Sequence, residues 1–449
     1  MSGRTLVIGL DGMPKSLLEE LAAGGVVPRL AEVLAGSGRA ELLAPVPEIS
    51  STSWATFLTG VNPARHGIFG FVDLVPGEYR TYFPNAGHLR APALWEHAAD
   101  DGLTTVCLNV PGTYPAPDIR GTVVSGFVAP RLDRAVRPQR LVAPLRRAGY
   151  ELDVEVGDVA ADPAGFLGRV HRSLRARTRA FRFLLAERPW DLAVAVFTET
   201  DRFQHFLWNR VQGGPAPEAL DFYRSVDAAV GQLLDSVPDV TPFLVSDHGF
   251  GPAHCQFHVN AWLREQGLLA GLDTCPELSA VDSASRVFAL DPARFYVHRE
   301  DRFPRGAVGD AEADELVELL AARLRALRWS GSEVGPHVDG PPLLDGVHLR
   351  EEVYAGPHLD EAPDLVAVPA RGVQLRGSFT SRSVTAPDVL TGTHTRDDAV
   401  FTVPGAVRVP RVGMADAAAT VLAAAGVRVA GLDGADVARG RSQPTEWGG

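Results

Sequence analysis

Six short apolar runs punctuate the chain: Thr5–Leu10, Thr104–Leu108, Leu192–Phe197, Pro242–Ser246, Asp364–Val368 and Ala399–Val403. They are rich in Val, Leu and Phe and show no in-and-out alternation, so each suits a strand covered on both faces. Longer helical patterns separate them. The alternation predicts an α/β fold with an open, mostly parallel central sheet flanked by helices. In such sheets the reactive polar residues gather beyond the carboxyl ends of the strands. A length of 449 residues allows two or three units or one large α/β body.

Composition removes several classes of function. The 43 basic and 55 acidic side chains leave a formal charge of −12, which argues against a broad grip on a nucleic-acid polymer or an anionic membrane. Lys15 is the only lysine, and its neighbours Met13, Pro14 and Ser16 form no glycine-rich loop, so neither a P-loop nor a Schiff-base lysine is expected. The three cysteines, Cys107, Cys255 and Cys275, have no Cys-x-x-Cys spacing and are too few for a disulfide framework, which fits a reducing compartment. The start of the chain lacks the pattern of a signal peptide. No stretch approaches the roughly 20 apolar residues of a membrane span. The expectation is a soluble, cytoplasmic protein with no membrane partner and an unspecified oligomeric state.

Residues 251–390 contain Pro/Gly-rich breaks at Gly335–Pro342 and a polar stretch at Asp273–Arg286, and read as an inserted cap that also lends strands to the core. Residues 1–250 and 391–432 then form the core, and 433–449 a flexible, polar, glycine-rich tail. The arginine-dense segment Gly168–Leu185 reads as an amphipathic helix with a solvated basic face. There is no internal repeat.

Polar clusters follow the apolar runs. Asp11 ends the first. Asp201 and His205, four apart, share one face of a helical turn after Leu192–Phe197. That spacing suits either a metal chelate or an ordinary Asp–His helix pair. Asp247 and His248 sit in the loop after Pro242–Ser246, and His394 precedes the last run. Each has a bland explanation alone, as a cap, a turn or a satisfied histidine. Together three aspartates and three histidines suffice for two sites of three protein ligands each, the arrangement of catalytic rather than structural metals. Ser50, Ser51, Thr52 and Ser53 open a helical segment, where at least two of them are expected to serve as an N-cap. A helix amino terminus also offers N–H groups to an anion, and a hydroxyl beside a metal can be a nucleophile.

The motifs occur in a fixed order: the strand ending in Asp11, the helix start from Ser50 to Gly60 with Asn62-Pro-x-x-His-Gly-Ile, Asp201-x-x-x-His205, Ser246-Asp-His-Gly-Phe, and Gly392-Thr-His394. This set resembles the alkaline phosphatase superfamily, in particular its type I phosphodiesterase/nucleotide pyrophosphatase-like branch and the related phosphohydrolases and phosphomutases. The resemblance implies an alkaline phosphatase-like core in which Asp201, His205 and His394 hold one zinc and Asp11, Asp247 and His248 the other. It implies two divalent ions, Zn²⁺ with Mn²⁺ as the alternative. Counting back from Thr59-Gly60 places Ser50 at the nucleophile, on the second metal. Thr52 stands where the family often has Pro, which keeps Ser51 open as the alternative.

The implied reaction is cleavage of a phosphodiester, pyrophosphate or phosphomonoester of a small metabolite through a phosphoseryl intermediate. A phosphomutase with the same metal site is the alternative, and a non-catalytic metal-binding protein a third reading. The sulfatase motif Cys/Ser-x-Pro-x-Arg is absent. Phe71 stands where the nucleotide branch commonly places an Asn, which sets this chain apart from nucleotide hydrolysis. Asn109, His254, His258 and Arg396 are candidate substrate contacts, each with a structural alternative. Two dications balance three aspartates and a serine alkoxide, so a charge of −12 does not exclude an anionic substrate. With one lysine, a cationic phosphate clamp would be arginine.

Overall fold

A computed structural model of the chain describes residues 3–187, 189–270, 277–331, 333–405 and 411–439. Cys275 and part of the polar stretch 273–286 lie outside the described residues. Five of the six apolar runs enter one nine-stranded sheet. Its order is Arg411–Gly413, Ser37–Leu43, Ala399–Pro404, Val240–Val245, Arg4–Leu10, Leu192–Phe197, Thr105–Leu108, Gly121–Val124 and Val136–Arg137. The strands from Val240–Val245 to Gly121–Val124 are parallel. Ala399–Pro404 runs antiparallel to both neighbours, as does Val136–Arg137 to its one partner.

The missing alternation has a direct cause. Leu6, Ile8 and Leu10, with Ala193, Ala195 and Phe197, face one apolar core. That core lies under the helices Lys15–Ala23, Pro28–Ala35, Pro163–Ala186 and Pro217–Ser236. Val7, Leu192, Val194 and Val196 face a second core, under Ser50–Thr59, Leu94–Asp100 and Met414–Ala424. Both faces of each central strand are dry, so both must be apolar.

The sixth run corrects the expectation. Leu365–Pro369 lies in a separate antiparallel sheet with Val287–Leu290, Arg294–Val297 and Leu344–Leu349. It too is covered twice, Leu365 and Ala367 packing into a core with the helix Asp310–Arg325, and Val366 and Val368 against Val46, Phe69 and Tyr354. Periodicity alone cannot separate this case from a parallel strand. Among the described residues no strand within 251–390 pairs with the nine-stranded sheet, so the expected lending of core strands is not observed.

The strand Gly249–His258 carries the chain away from the central sheet, pairing first with Gly392–Thr395 and then with Gly372–Arg376 and Thr385–Pro387. Specific bonds hold the two parts together. The fully buried Arg294 guanidinium pairs with Asp73, Asn62 Nδ2 donates to the Val353 carbonyl at 2.9 Å, and the Tyr354 hydroxyl donates to the Val46 carbonyl at 2.8 Å. The chain after Leu432 is held at its start, where Asp433 accepts from the Asn62 N–H at 2.7 Å and Val437 is buried; residues 440–449 lie outside the described residues.

One glycine sets the height of a helix above the sheet. A Cβ at Gly9 would stand 2.7 Å from Val196 Cγ2 and 2.9 Å from Trp54 Cη2, so its absence lets the buried Trp54 ring, and with it the helix Ser50–Thr59, rest on the strand that ends at Asp11. Gly9→Ala is expected to destabilise the protein by about 1–3 kcal/mol through overpacking. A thermal midpoint at or above that of the parent would show that this contact does not limit the packing.

Candidate active site

Three neighbouring strands, Arg4–Leu10, Leu192–Phe197 and Val240–Val245, end at one edge of the sheet and deliver Asp11, the helix Glu199–Leu207 and the loop Ser246–His248. Short bonds lace these ends together. The Asp11 N–H donates to the Phe197 carbonyl at 3.1 Å, and the Thr200 hydroxyl to the Asp11 carbonyl at 2.6 Å. Gly12, at φ +66°, turns the chain so that its N–H reaches Asp247 Oδ1 at 3.1 Å and its carbonyl accepts from Gln204 Nε2 at 2.8 Å. A left-handed backbone there favours glycine.

The helical spacing brings His205 Nε2 within 3.2 Å of Asp201 Oδ1. His394, from the strand Gly392–Thr395, places Nε2 3.4 Å from the same oxygen and 3.0 Å from His205 Nε2. Ligands at ~2.0–2.1 Å around a tetrahedral ion stand ~3.3 Å apart, so the three atoms already have the spacing of a metal's ligand set. Beside them, His248 Nε2 lies 3.4 Å from Asp247 Oδ2 and 3.8 Å from Asp11 Oδ1. The groups adjoin, the His248 and His394 rings stacking at 3.6 Å.

The three histidines share one orientation. Nδ1 of His205 faces the Gly392 carbonyl at 3.1 Å, that of His248 the Gly249 carbonyl at 2.9 Å, and that of His394 the Glu48 carbonyl at 3.1 Å. A carbonyl only accepts, so in the neutral ring each Nδ1 carries the proton and each Nε2 turns a lone pair into the cluster. Two such lone pairs 3.0 Å apart repel unless a cation or proton lies between them. Asp11 Oδ1, Asp201 Oδ1 and Asp247 Oδ2 are buried without hydrogen-bond partners. The imidazole and carboxylate donors fit divalent ions on each of these counts.

The electrostatics express the same need. Burial, reinforced by the charges of Asp247 and Asp201, holds the Asp11 carboxyl well above its ordinary range. Burial also pushes His248 down to about 4. Burial opposes ionisation of Asp201, but His205 and His394, when protonated and donating from Nε2, overcome it and hold that carboxyl well below the usual range; with the rings neutral, a bound cation would have to take their place.

Ser50 is the first residue of its helix, and its Oγ lies 3.2 Å from His248 Nε2. The expected hydroxyl cap is not formed: Ile49 occupies the cap position, so all four hydroxyl residues fall inside the first turn. The Ser51, Thr52 and Ser53 hydroxyls are buried without partners. Trp54 Nε1 donates to Asp11 Oδ2 at 3.4 Å and ties this helix to the first strand.

The remaining candidates stand outside the cluster, with Arg396 alone bordering it. Asn109 is committed to structure, donating to the Val196 carbonyl at 2.9 Å and accepting from the Tyr150 hydroxyl at 3.3 Å. His254 and His258 follow Phe250 along an extended strand, ~13 and ~26 Å farther on. Arg396 lines a cavity of about 770 Å³, with Glu48, Asp345 and His348, that touches His394. Phe71 packs edge-on against Phe127, ring centres 5.8 Å apart. His66 bonds Thr56 at 3.1 Å and serves the helix rather than the cluster. Gly12, Trp54, Thr200 and Gln204 were not foreseen. Thr200 and Gln204 do carry a signal, since they repeat the four-residue spacing of Asp201 and His205 one step out of phase.

The sequence model for type I phosphodiesterase / nucleotide pyrophosphatase matches residues 5–396. The chain belongs to that family. Type I phosphodiesterases and nucleotide pyrophosphatases are metal-dependent hydrolases of phosphoric ester bonds. No curated protein sequence matches the chain. Among solved structures, phosphonoacetate hydrolase from Sinorhizobium meliloti in complex with phosphonoformate superposes with a TM-score of 0.62 at 19% identity, over 94% of this chain and 96% of that one. Murine ectonucleotide pyrophosphatase / phosphodiesterase 5 gives 0.59 at 13% identity, over 97% and 99%. The human protein of that name gives 0.61 at 12%, with the same coverage. At these identities the likeness is one of fold, the alkaline phosphatase-like α/β architecture. No helix among the described residues of this family member is long and apolar enough to cross a membrane.

If Asp11, Asp201 and Asp247 repel one another in the absence of cations, Asp11→Asn should raise the thermal midpoint of chelator-treated protein while reducing the further rise on adding Zn²⁺. A chelated variant melting at or below the chelated parent would show that the repulsion is not felt.

Proposed function

We propose that this family member is a two-metal hydrolase of small-molecule phosphate esters with Ser50 as its nucleophile. The observation that carries the reading is the shared orientation of His205, His248 and His394, each with Nδ1 held by a backbone carbonyl and Nε2 turned toward unpartnered aspartate oxygens. Asp201, His205 and His394 would hold one ion, and Asp11, Asp247, His248 and Ser50 the other. The donors suit Zn²⁺, with Mn²⁺ the alternative. Divalent ions there supply Lewis acidity, balance the charge of a phosphoryl group and ease ionisation of the serine hydroxyl.

Ser50 Oγ then attacks phosphorus in line as the P–O bond to the leaving group breaks; the hydroxyl proton passes to solvent water, and the leaving oxygen departs with the bonding pair and takes up a proton from solvent. The product is a phosphoserine ester. Water entering from the vacated side attacks the same phosphorus, restores the Ser50 hydroxyl and releases the phosphate. The amino end of the helix Ser50–Thr59 favours the negative charge on the phosphoryl oxygens. Ser50 rather than Ser51 is favoured because its hydroxyl alone among the four has a partner in the cluster.

Small substrates are supported by the ligands of the fold neighbours, phosphonoformate in phosphonoacetate hydrolase and AMP in an inactive Thr-to-Ala variant of the murine ectonucleotide enzyme. Phe71, packed on Phe127, has no donor for a phosphate oxygen, which weighs against a nucleotide. Residues 251–390 are read as a cap, supported by their own apolar core from Phe257 to Leu375. Cytoplasmic residence is supported by Cys107 and Cys255, both free and buried.

Ser50→Ala should lower turnover at least ~10³-fold while fold and metal content persist. Turnover lost on Ser51→Ala and kept on Ser50→Ala would move the nucleophile by one residue. The substrate class follows from a panel of aryl phosphate monoesters, aryl diesters and nucleoside diphosphates. Purified protein should carry two equivalents of divalent metal per chain and lose turnover on chelation, with recovery on Zn²⁺ or Mn²⁺. Full turnover by metal-free protein would falsify the two-metal reading.

A further inference from the structure

The helix that delivers Asp201 and His205 spans only nine residues, Glu199–Leu207. So short a helix has little stability of its own, and its direction must be set by what packs on it. Two arginines tie it to its surroundings, one from a neighbouring helix and one of its own. Glu199 Oε1 accepts from Ser173 Oγ at 2.6 Å and Arg177 Nε at 2.7 Å, and both partners of the ion pair are fully buried. Ser173 and Arg177 come from the arginine-dense helix Pro163–Ala186.

Arg202 is the second. Its Nε and Nη2 donate in parallel to Asp153 Oδ1 and Oδ2 at 3.0 and 2.7 Å. The guanidinium plane lies over the Phe127 ring at 4.5 Å. That leaves Nη1 directed at Asp201 Oδ2, 3.5 Å away. Asp153 is steadied in turn by its segment, where Arg169 donates to the Glu155 and Val156 carbonyls at 2.8 Å each. The two oxygens of Asp201 are thus divided, Oδ2 toward Arg202 and Oδ1 toward His205 and His394.

We infer that Arg202, anchored by Asp153, is a positioning residue that orients the Asp201 carboxylate so that Oδ1 is presented with His205 and His394 to one metal ion. The inference rests on the metal reading of the site. Charge supports orientation over neutralisation: Asp153 already balances Arg202, so Asp201 is steered without losing the negative charge that a cation needs. A lysine would keep the charge but could not fork onto Asp153 and reach Asp201 together.

The test uses the full chain, stripped of metal and titrated with Zn²⁺ and with Co²⁺, whose visible absorption reports ligand geometry. The parent is expected to take up two equivalents. In Arg202→Gln and in Asp153→Asn, one equivalent should weaken ~10–100-fold and its Co²⁺ band change, while the other stays as in the parent. Arg202→Lys should not restore it. The inference is overturned if both equivalents in both variants stay within twofold of the parent, or if Arg202→Lys restores the site. It is equally overturned if both equivalents weaken alike with a lowered melting midpoint, the mark of general loosening, or if KM alone rises with metal binding intact, the mark of a substrate contact. A parent that binds no divalent ion would instead overturn the metal reading on which the inference stands.

Discussion

Three buried carboxylates and three imidazole lone pairs are forced together at one end of the sheet, and the rest of the site follows from how the chain tolerates this. Asp11, Asp201 and Asp247 expose 7% of their surface or less, and each leaves an oxygen without a hydrogen bond. Burying an ion costs several kcal/mol unless its surroundings compensate. Trp54, Gly12 and Arg202 each face the outer oxygen of one aspartate, so compensation is supplied on the outside of the cluster and withheld on the inside. The histidines repeat that division, Nδ1 bonded outward and Nε2 inward. A centre arranged in this way has the charge and the donors to hold cations, and without them a phosphate would meet only carboxylates and lone pairs.

The sheet makes the convergence cheap. Parallel strands all end on the same side, so residues 11, 201 and 247 need no long loops to meet. Thr200, Gln204 and Gly12 then set the separation of the strand ends through bonds that span nearly two hundred positions of sequence. Ser50 arrives differently, on a helix whose height depends on Trp54 lying over Gly9. Ser50 and Asp11 are therefore placed by one contact, since the same indole packs on the strand and donates to Asp11.

Most of the central sheet was legible because a strand dry on both faces must be apolar throughout. Ser37–Leu43 was not, because as the second strand from the edge it buries only Ala40 and Leu42 and otherwise reads as polar turn. Leu365–Pro369 was legible as a strand but not as to its sheet, since two cores covered it just as they cover Leu192–Phe197. The Asp and His clusters stood out because such residues rarely follow apolar runs by accident. Their outer partners did not, since a backbone carbonyl carries no sequence signature and every Nδ1 bond of the three histidines ends on one. The hydroxyl run at residues 50–53 was legible as a helix start, but whether the cap is Ser50 or Ile49 depends on one backbone dihedral that composition does not fix.

The scarcity of lysine acquires a structural meaning. Each buried cation that anchors the fold near the site uses several donors in fixed directions. Arg177 bonds Glu199, Arg202 forks onto Asp153, and Arg294 joins Asp73 to the Val72 carbonyl. An ammonium is a strongly hydrated point charge, and removing it from water to make these contacts would cost more and orient less. Reading the arginine-dense helix as a solvated face was right for most of its turns and wrong at Arg177, 1% exposed. A helix face is assigned to water by its average, whereas a buried ion pair is made by one residue whose partner lies elsewhere in the sequence. Glu199, two positions before a metal-ligand candidate, is such a partner, and through it the longest helix of the described chain bears on the nine-residue helix that holds two of the candidate ligands.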